Sequence, residues 1–409
     1  MIDVAIMGHG VVGSGVAEIL LSHFDSIAQK AKNEINIKYI LDLRDFNGLS
    51  YSDKFIKDFS IISNDQSVKI VAEAMGGLHP AYEFVKECLL KGKSVVTSNK
   101  ELVAAKGDEL LQIANEKNVN FLFEASVGGG IPVLRPMAQC LAANEITEIY
   151  GILNGTTNFI LTKMVNENMP FETALKLAQD LGYAEKNPDA DILGHDACRK
   201  ICILAALGFG KHVYPEQVST EGITKISLDD VNYADILGCV IKLIGHAKKL
   251  KNGRISAAVY PALVPHSNML SGVTDVFNAI TVIGDALGEA LFYGKGAGKL
   301  PTASAVVADI IDCAKHLSAR KYLSWDKGYD GYVIPLCDTE TKLYVHLYEV
   351  TSAIKENVFN VFGKDIKYYY NEISNEFVFI TNEGIEADLR ENLNKLENCK
   401  IKSVLHAIS

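Results

Sequence analysis

Over the first 130 positions, short continuous apolar runs alternate with longer stretches in which apolar residues recur at helical spacing. The runs "IDVAIMG", "INIKYILD" (35–42), "VKIVAEAM" (68–75), "KSVVTSN" (93–99) and "VNFLFEAS" (119–126) read as strands buried on both faces. Between them the spacing predicts a helix over Val12–Lys32, with Val12, Val16, Ile19 and Leu20 on one face, and helices near 80–91 and 107–117. Doubly buried strands separated by helices predict a parallel α/β sheet.

The pattern changes after Ile131. Strand runs such as "EITEIYGIL" (145–153) mix with helices over 157–168, 170–181 and 194–208, which predicts an α+β domain. A helix is expected near 302–318. The rest reads strand, helix, strand, strand, helix, strand, over 342–350, 353–363, 365–373, 376–381, 386–398 and 401–408, the order of a ferredoxin-like plait. The expected division is a first domain over 1–130, completed by the helix near 302–318, a second over 131–300, and a third over 325–409.

Composition narrows the function classes. The chain has 409 residues, 48% hydrophobic and 22% charged, as an ordinary globular protein with a large core does. Its formal net charge of −10 argues against a nucleic-acid binder or a protein held on anionic membranes. "MIDVAIMGHG" lacks the features of a signal or transit peptide. The longest apolar run, "ICILAALGFG" (201–210), is half the ~20 residues a membrane-spanning helix needs. The eight cysteines form no CxxC pair and read as free thiols, so a cytoplasmic location is expected.

Gly8, Gly10 and Gly13 form G-x-G-x-x-G directly after a strand and at a helix start. In such a loop the first glycine permits a tight turn and the second admits a pyrophosphate to the backbone. The third lets helix and strand pack closely, with the helix N-terminus facing the anion. A plain structural turn has the same glycines, but the strand-before, helix-after context favours a Rossmann-type dinucleotide domain. At the end of the second strand Asp42 suits a ribose 2′-hydroxyl and Arg44 a 2′-phosphate, which leaves NAD and NADP open with NADP slightly favoured. "GKGAGKLP" (294–301) does not have the spacing of a triphosphate-binding loop.

"GYAEKNPDADILGHDACRK" (182–200) crowds charge ahead of the apolar run 201–210. Asp196 and Lys200 are four apart on one helix face. A lysine entering a buried helix needs carboxylate partners to stay charged, and Glu185, Asp191 and Asp196 are the nearest. A surface helix with an ordinary ion pair is the bland alternative. The density of carboxylates and the apolar continuation favour a site.

The stretch resembles the signature of homoserine dehydrogenases, supplied here by Ala178, Gly182, Asn187, Pro188, Asp191, Gly194, Asp196 and Lys200. "TSNK" (97–100), "EASVGGGIP" (124–132), "NGTTNFI" (154–160) and "YGKGAGKLPTASAVVAD" (293–309) are similar to further landmarks of that family, and the resemblance covers about 1–320. It implies NAD(P)-dependent hydride transfer between L-aspartate 4-semialdehyde and L-homoserine, on the route to threonine and methionine. By that resemblance Lys200 is the proton donor and Lys100 assists. Glu185 and Asp196 hold the substrate's amino end beside Asp191, with Tyr183 and Thr156 as secondary contacts. Cofactor positions fall on Val11, Val12, Lys100, Gly182 and Gly298, besides the three loop glycines and Arg44, and Thr97 and Ser98 are expected at the carboxyl end of their strand, where ligands bind in such sheets. A monovalent cation, commonly sodium, is implied at the backbone carbonyls of Glu124, Val127, Gly129 and Ile131; a glycine-rich hinge without an ion is the alternative. His195 and Cys198 are expected to be structural.

The C-terminal plait resembles an ACT domain, an amino-acid-sensing module. "YEVTSAIKEN" (348–357) lacks the proline and glycine typical of its effector loop, so weak or absent threonine feedback is expected. The resemblance further implies a monofunctional homodimer or homotetramer. Two other readings compete: a non-catalytic NAD(P) sensor on the same scaffold, and a related amino-acid dehydrogenase with another small substrate. The first has no need of Lys100, Glu185, Asp196 and Lys200, and the second no need of the full Asn187–Lys200 pattern.

Overall fold

The computed structural model describes residues 1–318, 323–396 and 398–408. Glu397, within the helix expected over 386–398, and Ser409, the last residue of the expected third domain, lie outside the described residues. The chain divides into two compact units rather than three. One comprises Met1–Thr147, Cys202–Pro215 and Val282–Tyr329; the other comprises Glu148–Ile201, Glu216–Thr281 and Asp330–Ser409.

The first unit is built on a six-stranded parallel sheet in the order Phe55–Ile56, Ile35–Leu41, Ile2–Met7, Val68–Glu73, Ser94–Thr97, Phe121–Leu122. This is the doubly wound Rossmann order, with the first and fourth strands adjacent at the switch point where ligands bind. The sheet's apolar residues, among them Val4, Ile6, Ile37 and Ile70, are fully or nearly fully buried. Helix Lys299–Lys315, which begins three residues earlier than expected, buries Ala303, Val306 and Ile310 in that same core.

Three sequence expectations are corrected here. The helix over Val12–Lys32 is two helices, Val11–Ser22 and Phe24–Ala31, bent by 85° at His23. The buried positions Val16, Leu20, Ile27 and Ala31 keep helical phase through the bend, so periodicity could not reveal it. The helix expected from 107 begins at Lys100, because Asn99 caps it by accepting from the Leu102 amide. The strand expected over 119–126 is only Phe121–Leu122. A short 3₁₀ turn, Glu124–Ser126, follows it, and the Glu124 carboxylate there accepts from the amides of Val133, Leu134 and Arg135.

In the second unit a mixed sheet places Ile146–Ile152, Cys239–Lys249 and Ile255–Pro265 side by side. Lys400–Ala407 joins Ile255–Pro265 in parallel, with Ala262 opposite His406 and Leu263 opposite Ala407. The sheet then continues through Glu340–Tyr348, Glu376–Ile380 and Lys367–Asn371, all antiparallel. With helices Ser352–Phe362 and Glu386–Asn394 these four strands form the plait, and Leu343, Val345, Phe377 and Phe379 pack against its helices. The plait's other face carries a buried polar cluster wired to helix Leu228–Ile236. His346 is fully buried there between Asp230 (3.0 Å) and Glu376 (3.3 Å).

Candidate active site

The three loop glycines meet different constraints in the first unit. Gly8 has φ +93°, and a Cβ on it would lie 2.8 Å from the Ala74 carbonyl oxygen. A Cβ on Gly13 would lie 1.9 Å from the Gly8 carbonyl oxygen. Gly10 meets nothing within 4 Å. Two glycines therefore serve the fold, and the middle one keeps open space at the N-terminus of helix Val11–Ser22. Val11 is exposed and Val12 half-buried.

Beside the loop lies an open cleft of about 940 Å³ lined by His9, Gly10, Val11, Arg44, Tyr51 and Lys299. Asp42 is already engaged. Its carboxylate accepts from the His9 amide (2.8 Å) and from Arg44 Nε (3.0 Å) and Nη2 (2.9 Å). The hydrogen-bonded guanidinium holds the Asp42 carboxyl well below the usual range. Arg44 itself is exposed.

Thr97, Ser98 and Lys100 sit where strand Ser94–Thr97 passes into helix Lys100–Glu116. Thr97 is 1% exposed, and its hydroxyl donates to Glu73 Oε2 at 2.5 Å, so its side chain is committed to the protein. Gly298, with φ +127°, precedes helix Lys299–Lys315 at the N-cap position. In the segment expected to hold a cation, the carbonyls of Val127, Gly129 and Ile131 accept no hydrogen bond among the described residues. The Glu124 carboxylate is spent on the amides of Val133, Leu134 and Arg135, which leaves only its backbone carbonyl for an ion. Carbonyl oxygens of this kind suit a hard monovalent cation.

In the second unit, helix His195–Phe209 starts after Gly194 (φ +85°) and carries Asp196 and Lys200 on one face. Both are buried, Lys200 to 7% exposure and Asp196 to 4%. Lys200 Nζ donates to Asp196 Oδ2 and to the Leu153 carbonyl oxygen, each at 2.7 Å. Asp196 Oδ2 also accepts from Asn154 Nδ2 (2.8 Å), which donates to Asp191 Oδ1 as well (2.7 Å). Asn154 caps helix Gly155–Glu167 through its own Oδ1. One amide thus fixes two carboxylates and a helix start. An ammonium held by a carboxylate and a backbone carbonyl, largely out of water, interacts more strongly with those partners than a surface lysine does.

The expected partners separate here. Asp196 pairs with Lys200 directly and Asp191 joins through Asn154. Glu185 is exposed, and its carboxylate makes no hydrogen bond or ion pair among the described residues, which corrects its expected role as a partner of Lys200. It lies in the polar turn ahead of the helix, outside the buried cluster. The Thr156 hydroxyl donates to the Tyr183 carbonyl oxygen (2.7 Å), and the exposed Tyr183 ring sits edge-on to Phe159. Gly182 adopts φ +76° after helix Phe171–Asp180. His195 is exposed; Cys198 is buried.

Two residues were missed in the sequence reading. Asn154 had a signal, an asparagine just ahead of a helix start. Glu73 had none, because a single carboxylate inside the run "VKIVAEAM" carries no motif or spacing.

The chain matches a family model described as "Homoserine dehydrogenase" over residues 132–311, and one described as "Homoserine dehydrogenase, NAD binding domain" over 8–124. It is 42% identical over 319 residues to the homoserine dehydrogenase of Bacillus subtilis, covering 77% of this chain and 73% of that protein. The crystal structure of a homoserine dehydrogenase from Thiobacillus denitrificans superposes with a TM-score of 0.93 at 33% identity, over 100% of this chain and 98% of that one. A hyperthermophilic archaeal homoserine dehydrogenase in complex with NADPH covers 76% of this chain and 97% of its own, with a TM-score of 0.65 at 29% identity. The chain belongs to the homoserine dehydrogenase family, and is an NAD(P)-dependent oxidoreductase that interconverts L-aspartate 4-semialdehyde and L-homoserine in threonine and methionine biosynthesis.

Proposed function

We propose that Lys200 is the proton donor of this reaction and that Lys100 assists it. The observation that carries the proposal is the buried Lys200–Asp196 pair at the start of an apolar helix. The dinucleotide supplies the hydride to the aldehyde carbon. As the C=O electron pair moves onto oxygen, the Lys200 ammonium stabilises the growing charge and gives up a proton to it. Asp196 and the Leu153 carbonyl fix the ammonium's direction, and Asn154 holds Asp196 in turn. A second cation at Lys100 favours the same charge, which is larger in the transition state than in the bound aldehyde.

The substrate's amino group is read by carboxylates. Glu185, whose exposed carboxylate has no partner among the described residues, suits an incoming ammonium better than Asp191, whose oxygen already accepts from Asn154. Tyr183 and Thr156 shape the same turn, Thr156 through its hydrogen bond to the Tyr183 carbonyl. The dinucleotide contacts are Gly8, Gly10, Val11, Val12 and Gly13, with Ser98, Lys100, Gly182, Gly298 and the backbone of Thr97 besides. NADP is preferred over NAD. Arg44 is exposed beside the cleft and able to turn from Asp42 to a 2′-phosphate, while Asp42 keeps the His9 amide. The carbonyls of Glu124, Val127, Gly129 and Ile131 hold sodium, whose charge organises that loop. The protein is a cytoplasmic homodimer or homotetramer, and its ACT-like plait senses threonine weakly or not at all.

The test is homoserine-dependent reduction of NAD+ and of NADP+ by purified protein, with Lys200→Ala and Arg44→Ala. Lys200→Ala should abolish turnover with both cofactors, and Arg44→Ala should lower kcat/KM for NADP+ alone. An unaffected Lys200 variant overturns the proton-donor role, and equal loss with both cofactors overturns the 2′-phosphate role of Arg44.

A further inference from the structure

Glu73 ends strand Val68–Glu73 with a fully buried carboxylate that the reaction does not use. No cation pairs with it among the described residues, and burial pushes its carboxyl up from the usual range. Its partners form a closed circuit. Oε1 accepts from the amides of Met75 (2.7 Å) and Gly76 (3.3 Å), while Oε2 accepts from the hydroxyl of Thr97, its register partner on the next strand. The Thr97 oxygen accepts from the Asn99 amide (2.9 Å). Asn99 then spends both ends of its side chain. Its Nδ2 donates to the Gly77 carbonyl (2.6 Å), closing the ring, and its Oδ1 accepts from the Leu102 amide (3.1 Å), capping the helix whose first residue is Lys100. The same turn abuts the fingerprint loop, because the Ala74 amide donates to the Met7 carbonyl and the Ala74 oxygen lies 2.8 Å from where a Cβ on Gly8 would be.

A buried carboxylate without a counter-ion is costly, and well-packed apolar residues in its place commonly fold as well or better. Packing alone therefore does not account for it. What the circuit does fix is the turn from which Lys100 projects, in a helix long enough to be rigid. We infer that Glu73, acting through Thr97 and Asn99, is a positioning residue for Lys100. The inference rests on the reading of Lys100 as an assisting cation.

The variants Thr97→Val, Thr97→Ser and Glu73→Gln separate position from mere stability. Valine keeps the volume and removes the hydroxyl; serine restores it. Glutamine keeps both amide contacts but has a donor where Thr97 needs an acceptor, and it carries the test if Thr97→Val fails to fold. Each variant is assayed for kcat with homoserine and for dinucleotide KM, alone and combined with Lys100→Ala. The expected result is a kcat about 10- to 100-fold lower in Thr97→Val and Glu73→Gln, the scale of a small misplacement of a catalytic group. Dinucleotide KM should move less than about 3-fold, under 1 kcal/mol. Thr97→Ser should recover most of the rate, and in the Lys100→Ala background Thr97→Val should cost nothing further. If Lys100→Ala lowers kcat but Thr97→Val or Glu73→Gln lowers it by the same factor with or without Lys100, the positioning role is overturned and Lys100 stands. If Lys100→Ala leaves kcat intact, the reading of Lys100 fails and takes the inference with it.

Discussion

Adding one methyl group at Gly10 or at Gly13 should have opposite consequences. At Gly13 the new carbon would lie 1.9 Å from the Gly8 carbonyl oxygen and 2.9 Å from its carbon. Ordinary carbon–oxygen contacts begin near 3.3 Å, so the loop and helix Val11–Ser22 must separate by more than an ångström in a close-packed core. Overpacking of that order costs about 1–3 kcal/mol. At Gly10 nothing lies within 4 Å, and its backbone (φ −77°, ψ −153°) admits any residue. Gly10→Ala should therefore change stability by no more than about 1 kcal/mol, the scale of an N-cap exchange. It should nevertheless raise the dinucleotide Kd by about 10-fold or more, because the methyl fills the space a pyrophosphate needs; tenfold corresponds to about 1.4 kcal/mol. Denaturant titration gives the stabilities and fluorescence titration with NADPH gives the affinities. If Gly10→Ala binds NADPH like the unaltered protein, the loop does not cradle the pyrophosphate. If Gly13→Ala is as stable as the unaltered protein, the packing argument is wrong.

The other predictions concern the second unit. Asp196→Asn leaves the buried Lys200 ammonium without its carboxylate, and denaturant titration should show a loss of about 3–5 kcal/mol; a loss below about 1 kcal/mol would mean that the pair is screened by water. Burial works against the Glu376 carboxylate, but hydrogen bonds from Tyr233, Ser374 and Lys402 outweigh it and bring it down to about 2 from 4.5. With the folded value depressed, its stabilising contribution is complete above about pH 4.5 and is lost as pH falls toward 2. Glu376→Gln should therefore show a shallower fall in stability across that window, and an unchanged slope would place the acid sensitivity elsewhere. Threonine should inhibit weakly; strong inhibition at sub-millimolar threonine in the rate assay would contradict the expectation from "YEVTSAIKEN".

What the sequence made legible follows from locality. The glycine loop and the Asp196–Lys200 spacing are each written within a few residues, each element of the plait within one short run, and each has its counterpart in the structure. The parts that stayed hidden join residues distant in sequence. Asn154 meets Asp191 and Asp196 across 37 and 42 positions, and Glu73 meets Thr97 across 24. No periodicity records such pairs. The parallel seam between Ala262 and His406 is equally long-range, and it merges a plait expected as a separate domain into the second unit's sheet. The break at His23 was hidden for another reason, since the buried stripe runs through it in phase. Asp42 and Arg44 were read as alternatives, and the structure shows them bonded to each other.

The proton-donor role of Lys200 is tested most directly by single-turnover reduction of L-aspartate 4-semialdehyde, with the protein saturated in NADPH and Lys200→Met compared with the unaltered chain. Losing a positioned general acid should slow hydride transfer by about 100- to 10,000-fold, with NADPH affinity unchanged. A hydride-transfer rate in Lys200→Met within a few-fold of the unaltered protein would contradict that role.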